Sequence, residues 1–235
     1  MISIIPIEGL AEIAEGDDLP ALIAARASLE DGDVVVVAQK IVSKAEGRLV
    51  PVDPERRAEE RARVVASETV RVVARRGDLV IVETKHGFVC AHAGVDASNV
   101  PPDRLALLPA DPDASAAGLR AGLRAAAVAD VAVIVADTFG RPWRVGQTNV
   151  ALGVAGIEAL RDHRGQVDTF GTNLEATLIA VADELAGAAE LVMGKTDGVP
   201  AAVVRGYGGR RGDGTGRDLI RPPGEDLFPE GRIEP

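Results

Sequence analysis

The sequence predicts a fold that mixes helices and strands, and two kinds of observation support this prediction. Apolar runs rich in valine, such as Val34–Val37 and Val131–Val135, are typical of buried strands. The pairs Asp53-Pro54 and Asp111-Pro112 are typical of helix N-termini, because the carboxylate caps free backbone N–H groups and proline fits the first turn. Both patterns recur along the chain, so neither an all-helical nor an all-strand fold is expected.

Each element can be placed from these patterns. The sequence predicts strands at 3–7, 34–37, 79–82, 105–108, 131–135, 191–193 and 201–205. It predicts helices at about 20–29, 54–75, 111–128 and 173–189. The second helix is rich in arginine and glutamate, which is typical of a solvated face of ion pairs, and we assign it no chemistry. The proline-rich segment 101–112 is a candidate boundary between two lobes.

The composition limits the class of function. The chain has 235 residues, a formal net charge of −10 and a single cysteine. An excess of acidic residues disfavours nucleic acid as a partner, and no apolar run is long enough to span a membrane. One cysteine excludes an internal disulfide framework and fits a reducing compartment. We therefore expect a cytoplasmic protein with neither a nucleic-acid nor a membrane partner.

The segment Val131–Gly153 concentrates chemically useful side chains. Its apolar run leads into Asp137-Thr138-Phe139-Gly140, where we predict that the strand ends in a turn, and then into Arg141, Trp143 and Arg144. Ligands of open α/β sheets often bind just beyond the carboxyl ends of strands. The alternative is a plain strand end with an Asx-type turn, in which Trp143 is an ordinary core residue.

A basic segment directly behind the strand at 34–37 is a second candidate. It contains Lys40, Lys44 and Arg48 beside Gly47, and it lacks the glycine spacing of a P-loop. We predict a loop that faces phosphate, because such loops combine cations with backbone amides that a phosphate can approach closely. A solvated basic loop is the alternative.

Two carboxylates at separate strand ends could hold a metal ion. Asp96 and Asn99 follow Gly94 in a polar segment, and Asp137 and Thr138 follow the central run. Oxygen ligands without paired histidines or cysteines favour Mg²⁺ or Mn²⁺ over zinc. Two such ions could neutralise a triphosphate beside an anionic substrate. The residues therefore predict a metal-dependent nucleotide enzyme, with the substrate left open.

Several motifs carry a resemblance to a known family. In order, they are GLAEI (Gly9–Ile13), KIVSKAEGR (Lys40–Arg48), HGFVCAHAGVDASNV (His86–Val100), DTFGRPWRVGQTNVALG (Asp137–Gly153), AVADELA (Ala180–Ala186) and RPPGEDLF (Arg221–Phe228). Their order and spacing resemble those of the coenzyme F-420-0:gamma-glutamyl ligase family. The resemblance implies a two-lobed α+β fold with mixed sheets, a homodimer, a catalytic unit at 1–221 and a tail at 222–235.

The resemblance also implies an activity. Members of the family add L-glutamate, as a gamma-linked chain, to the deazaflavin F-420 precursor in a GTP-dependent reaction. An acyl phosphate is the expected intermediate, with GDP and phosphate as products. The family uses Mg²⁺ or Mn²⁺, with two ions expected here, and is helped by K⁺.

The matching motifs assign roles to individual residues. They imply a GTP site formed by Leu10, Ala11, Glu12, Ile13, Gln39, Lys44 and Asn99. They imply one metal ion held by Asp96 and Asp137 and a second touched by Thr138. As catalytic candidates we add Lys44, which would neutralise charge, and Arg141 and Arg144, which could orient a carboxylate or phosphate. For these two arginines, surface pairing around Trp143 is the alternative.

The chain also departs from the family pattern, which leaves other functions open. Ala38-Gln39 stands where the family has small hydroxyl residues. One alternative is therefore a ligase of the same chemistry that uses another acid or another nucleotide. The others are a nucleotide- or deazaflavin-binding module without turnover and, on thinner grounds, a structural interaction protein.

Overall fold

A computed structural model describes residues 1–226. The strands of this part are β1 (Ser3–Pro6), β2 (Val34–Ala38), β3 (Leu49–Pro51), β4 (Thr69–Arg76), β5 (Leu79–Thr84), β6 (Val89–Ala91), β7 (Arg104–Ala106), β8 (Ala132–Arg141), β9 (Arg144–Ala155), β10 (Arg161–Asp162), β11 (Leu178–Ile179) and β12 (Ala201–Arg205). The α-helices are α1 (Leu19–Ala24), α2 (Gln39–Ala45), α3 (Arg57–Glu68), α4 (Pro112–Ala127) and α5 (Val181–Met193). No helix within residues 1–226 is both long and apolar enough to cross a bilayer.

A five-stranded sheet in the order β1-β12-β2-β8-β9 forms the centre of the molecule. β2 and β8 run parallel, and the other neighbours are antiparallel. Because side chains alternate along a strand, the two faces bury different residues. One face packs against α1, α2 and α4 through Val35, Val37, Val133 and Val135. The other packs against α5 through Val34, Val36, Ile134 and Ala136.

A smaller group of strands forms a separate hydrophobic cluster, apart from the two faces of the central sheet. The three-stranded sheet β4-β5-β6 and the pair β3-β7 pack with α3 around Val65, Val82 and Leu105. This arrangement confirms the predicted α+β class with mixed sheets. The two-lobed shape, the boundary near 101–112, the unit at 1–221 and the dimer stay predictions. Within the tail predicted at 222–235 and the motif Arg221–Phe228, the residues from 227 onward lie outside the described part.

The helix caps at Asp53 and Asp111 are confirmed. The Asp53 carboxylate accepts a hydrogen bond from the Glu55 N–H at 2.9 Å. The Asp111 carboxylate accepts two, from the Asp113 and Ala114 N–H groups, both at 3.1 Å. Six of the seven predicted strands are present, five of them with somewhat shifted ends and the strand at 201–205 with the predicted ones. The first predicted helix is present but ends earlier, at Ala24.

Two predictions in the first half of the chain are wrong. The basic segment is the helix α2 and not a loop, because Ile41 and Val42 bury their side chains in the core at helical spacing. The predicted helix 54–75 ends at Glu68, where β4 begins. Thr69–Arg76 contains β-branched residues that pair with β5, so sheet formation outweighs the helical charge pattern.

Two predictions in the second half are also wrong. The strand does not turn at Asp137–Gly140, because its backbone continues to pair with β9 as far as Arg141. The helix predicted at 173–189 begins only at Val181, after the short strand β11, and it includes the segment 191–193 that was predicted to be a strand. Leu185, Ala189 and Met193 bury one face of α5 on the sheet at helical spacing, which explains where the helix lies.

Candidate functional site

The parallel pair β2–β8 delivers two candidate segments to the same edge of the sheet. Ala38 and Ala136 form the last pair of their ladder. Beyond it, one chain starts α2 with Gln39 and Lys40, while the other continues β8 with Asp137 and Thr138. The local register therefore places a cationic helix beside the predicted metal ligands.

Asp96 reaches this edge from the smaller group of strands. An antiparallel bridge to Ala106 holds its backbone, with both N–H to O distances at 2.9 Å. Lys40 Nζ lies 2.8 Å from Asp96 Oδ2, and the Ser98 N–H donates to Oδ1 at 2.7 Å. Burial raises the pKa of Asp96, but these contacts with Lys40 and Ser98 outweigh it and leave the pKa below its ordinary value.

Asp137 is only partly exposed and carries an unusually high pKa. Burial and, to a smaller degree, the negative charge of Asp96 raise it to about 6. The hydrogen bond from the Thr138 N–H and the charges of Lys40 and Lys195 act in the opposite direction. The structure thus brings Asp96 and Asp137 close enough for their charges to interact.

Thr138 faces the opposite side of the sheet from Asp137, because neighbouring residues of a strand alternate. Its hydroxyl donates to Asn149 Oδ1 on β9 at 2.6 Å. Lys195, which follows α5, donates to the same hydroxyl and lies 3.5 Å from Asn149 Oδ1. One strand end therefore carries a carboxylate pair on one face and a hydroxyl–amide–ammonium group on the other.

The residues expected to bind the nucleotide differ in accessibility. Lys44 is buried and forms an ion pair with the exposed Glu12, which ties the segment at 9–13 to α2. Ala11 is also exposed and Leu10 is partly buried, whereas the side chain of Ile13 lies in the core. Ile13 could therefore meet a nucleotide only through its backbone.

Gln39 is buried at the start of α2, with 1% of its surface exposed. Its Oε1 accepts from the Ser43 hydroxyl at 2.9 Å. Its Nε2 is buried and has no hydrogen-bond partner in the described part of the chain. A buried amide donor without a partner is uncommon in folded proteins, so this group fits a site that a ligand oxygen could complete.

Asn99 adjoins Lys195, whereas the two candidate arginines lie farther away. Asn99 Nδ2 is 3.5 Å from the Lys195 carbonyl oxygen. Arg141 donates to the Val145 carbonyl at 2.7 Å and lies opposite Arg144 at the end of the β8–β9 hairpin. Arg141 follows Thr138 by three residues along β8, which corresponds to a distance of about 10 Å in a strand.

Trp143 lies at the same hairpin end, with 71% of its surface exposed. The alternative that made Trp143 an ordinary core residue is therefore wrong. The hairpin extends past the sheet as an arm whose apolar tip also includes the exposed Val145.

The comparisons with known proteins agree with these motifs. A family model described as F420-0:Gamma-glutamyl ligase matches residues 9–206. The chain belongs to the F420-0:gamma-glutamyl ligase family. This membership confirms the resemblance and the predicted enzyme class, a ligase that forms carbon–nitrogen bonds.

Three similar family members are each named coenzyme F420:L-glutamate ligase. The protein from Methanothermobacter thermautotrophicus is 42% identical over 97% of this chain and 98% of its own length. The one from Methanopyrus kandleri is 43% identical over 95% of each chain. The one from Archaeoglobus fulgidus is 42% identical over 97% of this chain and 96% of its own.

The donor set of this family member fits a hard cation. Residues 1–226 contain no group of three or more histidine, cysteine, aspartate or glutamate side chains able to hold a metal ion. Asp96, Asp137 and Thr138 supply oxygen only, and Asp96 and Asp137 lie close enough for their negative charges to repel each other. Mg²⁺ and Mn²⁺ suit such incomplete oxygen sets, because waters and substrate phosphates complete their coordination.

Sequence reasoning assigned no role to Asn149 and Lys195, although both contact Thr138. Lys195 lies between two glycines in the segment Gly194–Gly198, a pattern that could have marked a ligand-binding turn. Asp183 on α5 accepts a hydrogen bond from the Ala151 N–H of β9 at 2.8 Å, which joins the helix to the sheet.

Proposed function

We propose that this protein is the GTP-dependent ligase that adds L-glutamate, in gamma linkage, to the deazaflavin precursor of coenzyme F420. The observation that carries the proposal is the meeting of Asp96 and Asp137 at one sheet edge, with Lys40 and Lys195 beside them. Full-length similarity to proteins named coenzyme F420:L-glutamate ligase supports the choice of substrate.

The reaction must first activate a carboxylate. A carboxylate oxygen of the precursor attacks the γ-phosphorus of GTP, the bond to the GDP oxygen breaks, and an acyl phosphate forms. The amine of glutamate then attacks the acyl carbon, loses a proton and displaces phosphate. Phosphoryl transfer of this kind depends mainly on positioning and on neutralising charge.

Each side chain of the site has a place in this scheme. Asp96 and Asp137 would hold one Mg²⁺ or Mn²⁺ ion and Thr138 would touch a second, and bound ions would neutralise the phosphates. K⁺ is expected as an additional ion. Lys195 is placed to bind a phosphate oxygen, because its side-chain partners within residues 1–226 are a hydroxyl and an amide oxygen and no carboxylate.

The nucleotide would lie along α2. Gln39, at the start of this helix, offers the buried Nε2 donor that has no partner within residues 1–226, and Lys44 adds a buried positive charge in its last turn. This donor could replace the hydroxyl that the family places at the same point. We keep Arg141 and Arg144 as candidates for a more distant anionic group, such as the growing glutamate chain.

We also propose that the ligase is a homodimer in the cytoplasm. The arm formed by the β8–β9 hairpin exposes Trp143 and Val145, and Phe170 is 93% exposed on the segment between β10 and β11. Large apolar side chains that are exposed on such segments are typical of surfaces that another chain covers.

The proposal can be tested by incubating the protein with GTP, Mn²⁺, L-glutamate and the purified precursor. Mass spectrometry should detect glutamylated product, with one GDP released for each glutamate added, and Asp137→Asn should abolish both. Absence of product with the wild-type protein would reject the proposal. GDP release only with another acid, or only ATP use, would favour the alternative ligase, and GTP binding without GDP release would favour a silent binding module.

A further inference from the structure

Helix α3 directs two arginines at the segment that carries Asp96. We propose that Arg57 and Arg61 are positioning residues, which hold the backbone on both sides of Asp96 so that its carboxylate meets Asp137. This inference rests on the proposed function, because it assigns the arginines to the metal site of that reaction. It also revises the expectation that the charged face of α3 has no part in the chemistry.

The contacts are specific to the residues that flank Asp96. Arg61 donates to the Val95 carbonyl at 3.2 Å. Arg57 donates to the Ala97 carbonyl at 3.1 Å and to the Arg104 carbonyl at 3.0 Å. Both sets of contacts are partly buried, and they join α3 to backbone more than thirty residues away in sequence.

The partners of these two guanidinium groups are unusual for their helix. Arg56 and Arg63, on the exposed side, form ion pairs with Glu59. Arg57 and Arg61 form no ion pair within residues 1–226, and their buried Nε atoms have no hydrogen-bond partner there. The guanidinium groups of Arg57 and Arg61 are thus partly buried and donate to backbone carbonyls. A carboxylate is the usual partner of a buried cation.

The geometry of the strand explains why arginines are needed at this position. Asp96 uses its own N–H and C=O to bridge Ala106. In the described structure the carbonyls of Val95 and Ala97 on either side of it accept no backbone N–H. The arginines of α3 provide the donors that a neighbouring strand would otherwise supply.

The backbone next to Asp96 also needs external support. His92, Ala93 and Gly94 have successive φ angles of 52°, 55° and 69°, and Asn99 has a φ of 53°. Non-glycine residues in this left-handed region persist only where surrounding contacts hold them. Conformational freedom in segment 92–99 would move the Asp96 carboxylate, so contacts that restrict the segment should favour ion binding.

The test compares matched variants of one helix. Arg61→Met removes the donor to the Val95 carbonyl and keeps the aliphatic length, whereas Arg61→Lys keeps a donor and the charge. Arg57→Met removes the donor to the Ala97 and Arg104 carbonyls. Arg63→Met is the control, because it changes the charge of α3 equally but lies on the exposed side. Electron paramagnetic resonance would measure the concentration of free Mn²⁺ as Mn²⁺ is added to the protein in the presence of GDP. The Mn²⁺ bound by GDP alone, measured in a titration without protein, would be subtracted.

We expect Arg61→Met and Arg57→Met to raise the Kd for Mn²⁺ about tenfold, the range found when outer contacts of metal ligands are lost. Arg61→Lys should stay within about threefold of wild type by the same measure, and Arg63→Met should not differ from wild type. In ligation assays the KM for Mn²⁺ should rise, while kcat at saturating Mn²⁺ changes little. Urea unfolding would confirm that each variant is folded.

The outcomes separate this inference from the proposed function. Folded Arg61→Met and Arg57→Met proteins with the Mn²⁺ affinity of wild type would overturn the positioning role. A wild-type protein that binds Mn²⁺ no better than Asp96→Asn would instead overturn the metal site itself. If Arg61→Met does not fold, Arg57→Met, which leaves Arg61 in place, decides the question in the same assay.

Discussion

Asp137→Asn should make the metal-free protein more stable while it abolishes ligation. The pKa of Asp137 is raised from 3.8 to about 6, mainly by burial. The folded protein therefore binds this proton more tightly than the unfolded chain, and its stability should fall as the pH rises from about 4 to about 6. Asparagine removes the buried charge and should remove this loss.

The size of the expected stabilisation follows from the shift in the pKa of Asp137. A difference of about two pKa units corresponds to about 3 kcal/mol at pH 7. Because part of the carboxylate is accessible to solvent, we expect Asp137→Asn to raise the free energy of unfolding by about 1–3 kcal/mol. At pH 4, where Asp137 is protonated, the variant and the wild type should have nearly equal stability.

Urea unfolding with a chelator, at pH 4 and pH 7, measures this difference. Asp162→Asn is a suitable control, because Asp162 is exposed and its hydrogen bonds with Arg164 lower its pKa to about 2, so that its loss should not stabilise the fold. Adding Mn²⁺ should stabilise the wild type, by about 2.7 kcal/mol at one hundred times the Kd, and not Asp137→Asn. A variant less stable than wild type at pH 7 would refute the reasoning.

Three further predictions concern the residues around the site. Lys195→Met should lower kcat for GDP release about a hundredfold, because a phosphate-binding cation is lost, and circular dichroism should stay unchanged. Gly94→Ala should lower the free energy of unfolding by about 2 kcal/mol or more, measured in urea, because its φ is 69° and a Cβ would lie 2.8 Å from Leu108. Asp183→Ala should cost about 1–3 kcal/mol in the same assay, because it leaves the Ala151 N–H without its partner, and kcat should stay near that of wild type.

The centre of the fold could be predicted from local sequence. β2, β12 and the first half of β8 are continuous runs of buried β-branched and small residues, and such runs have few alternatives. α2 was missed because its lysines indicate solvent, although Lys44 is 5% exposed. Burial of a charged residue depends on a partner such as Glu12, which no local pattern reveals.

The site could be predicted only where a motif marks it. Asp96 and Asp137 lie in recognisable segments, but Asn149 and Lys195 meet Thr138 through the β8–β9 register and the end of α5. The contacts of Arg57 and Arg61 with the backbone beside Asp96 could not be predicted for a related reason. A charged helical face has the same sequence pattern whether its arginines meet water or a distant backbone carbonyl.

The irregularity in the β8–β9 ladder has a consequence for how this enzyme could change. Val135 pairs with Gly153 and Ala136 with Ala151, so Leu152 is an extra residue that has no counterpart on β8. Leu152 is also buried and packs with Phe88 and Leu108. Deleting it would leave Thr138 opposite Asn149 in a regular ladder, but it would remove this buried side chain and the local bend that an extra residue gives a strand. We therefore expect its deletion to be far less tolerated than its substitution by another apolar residue.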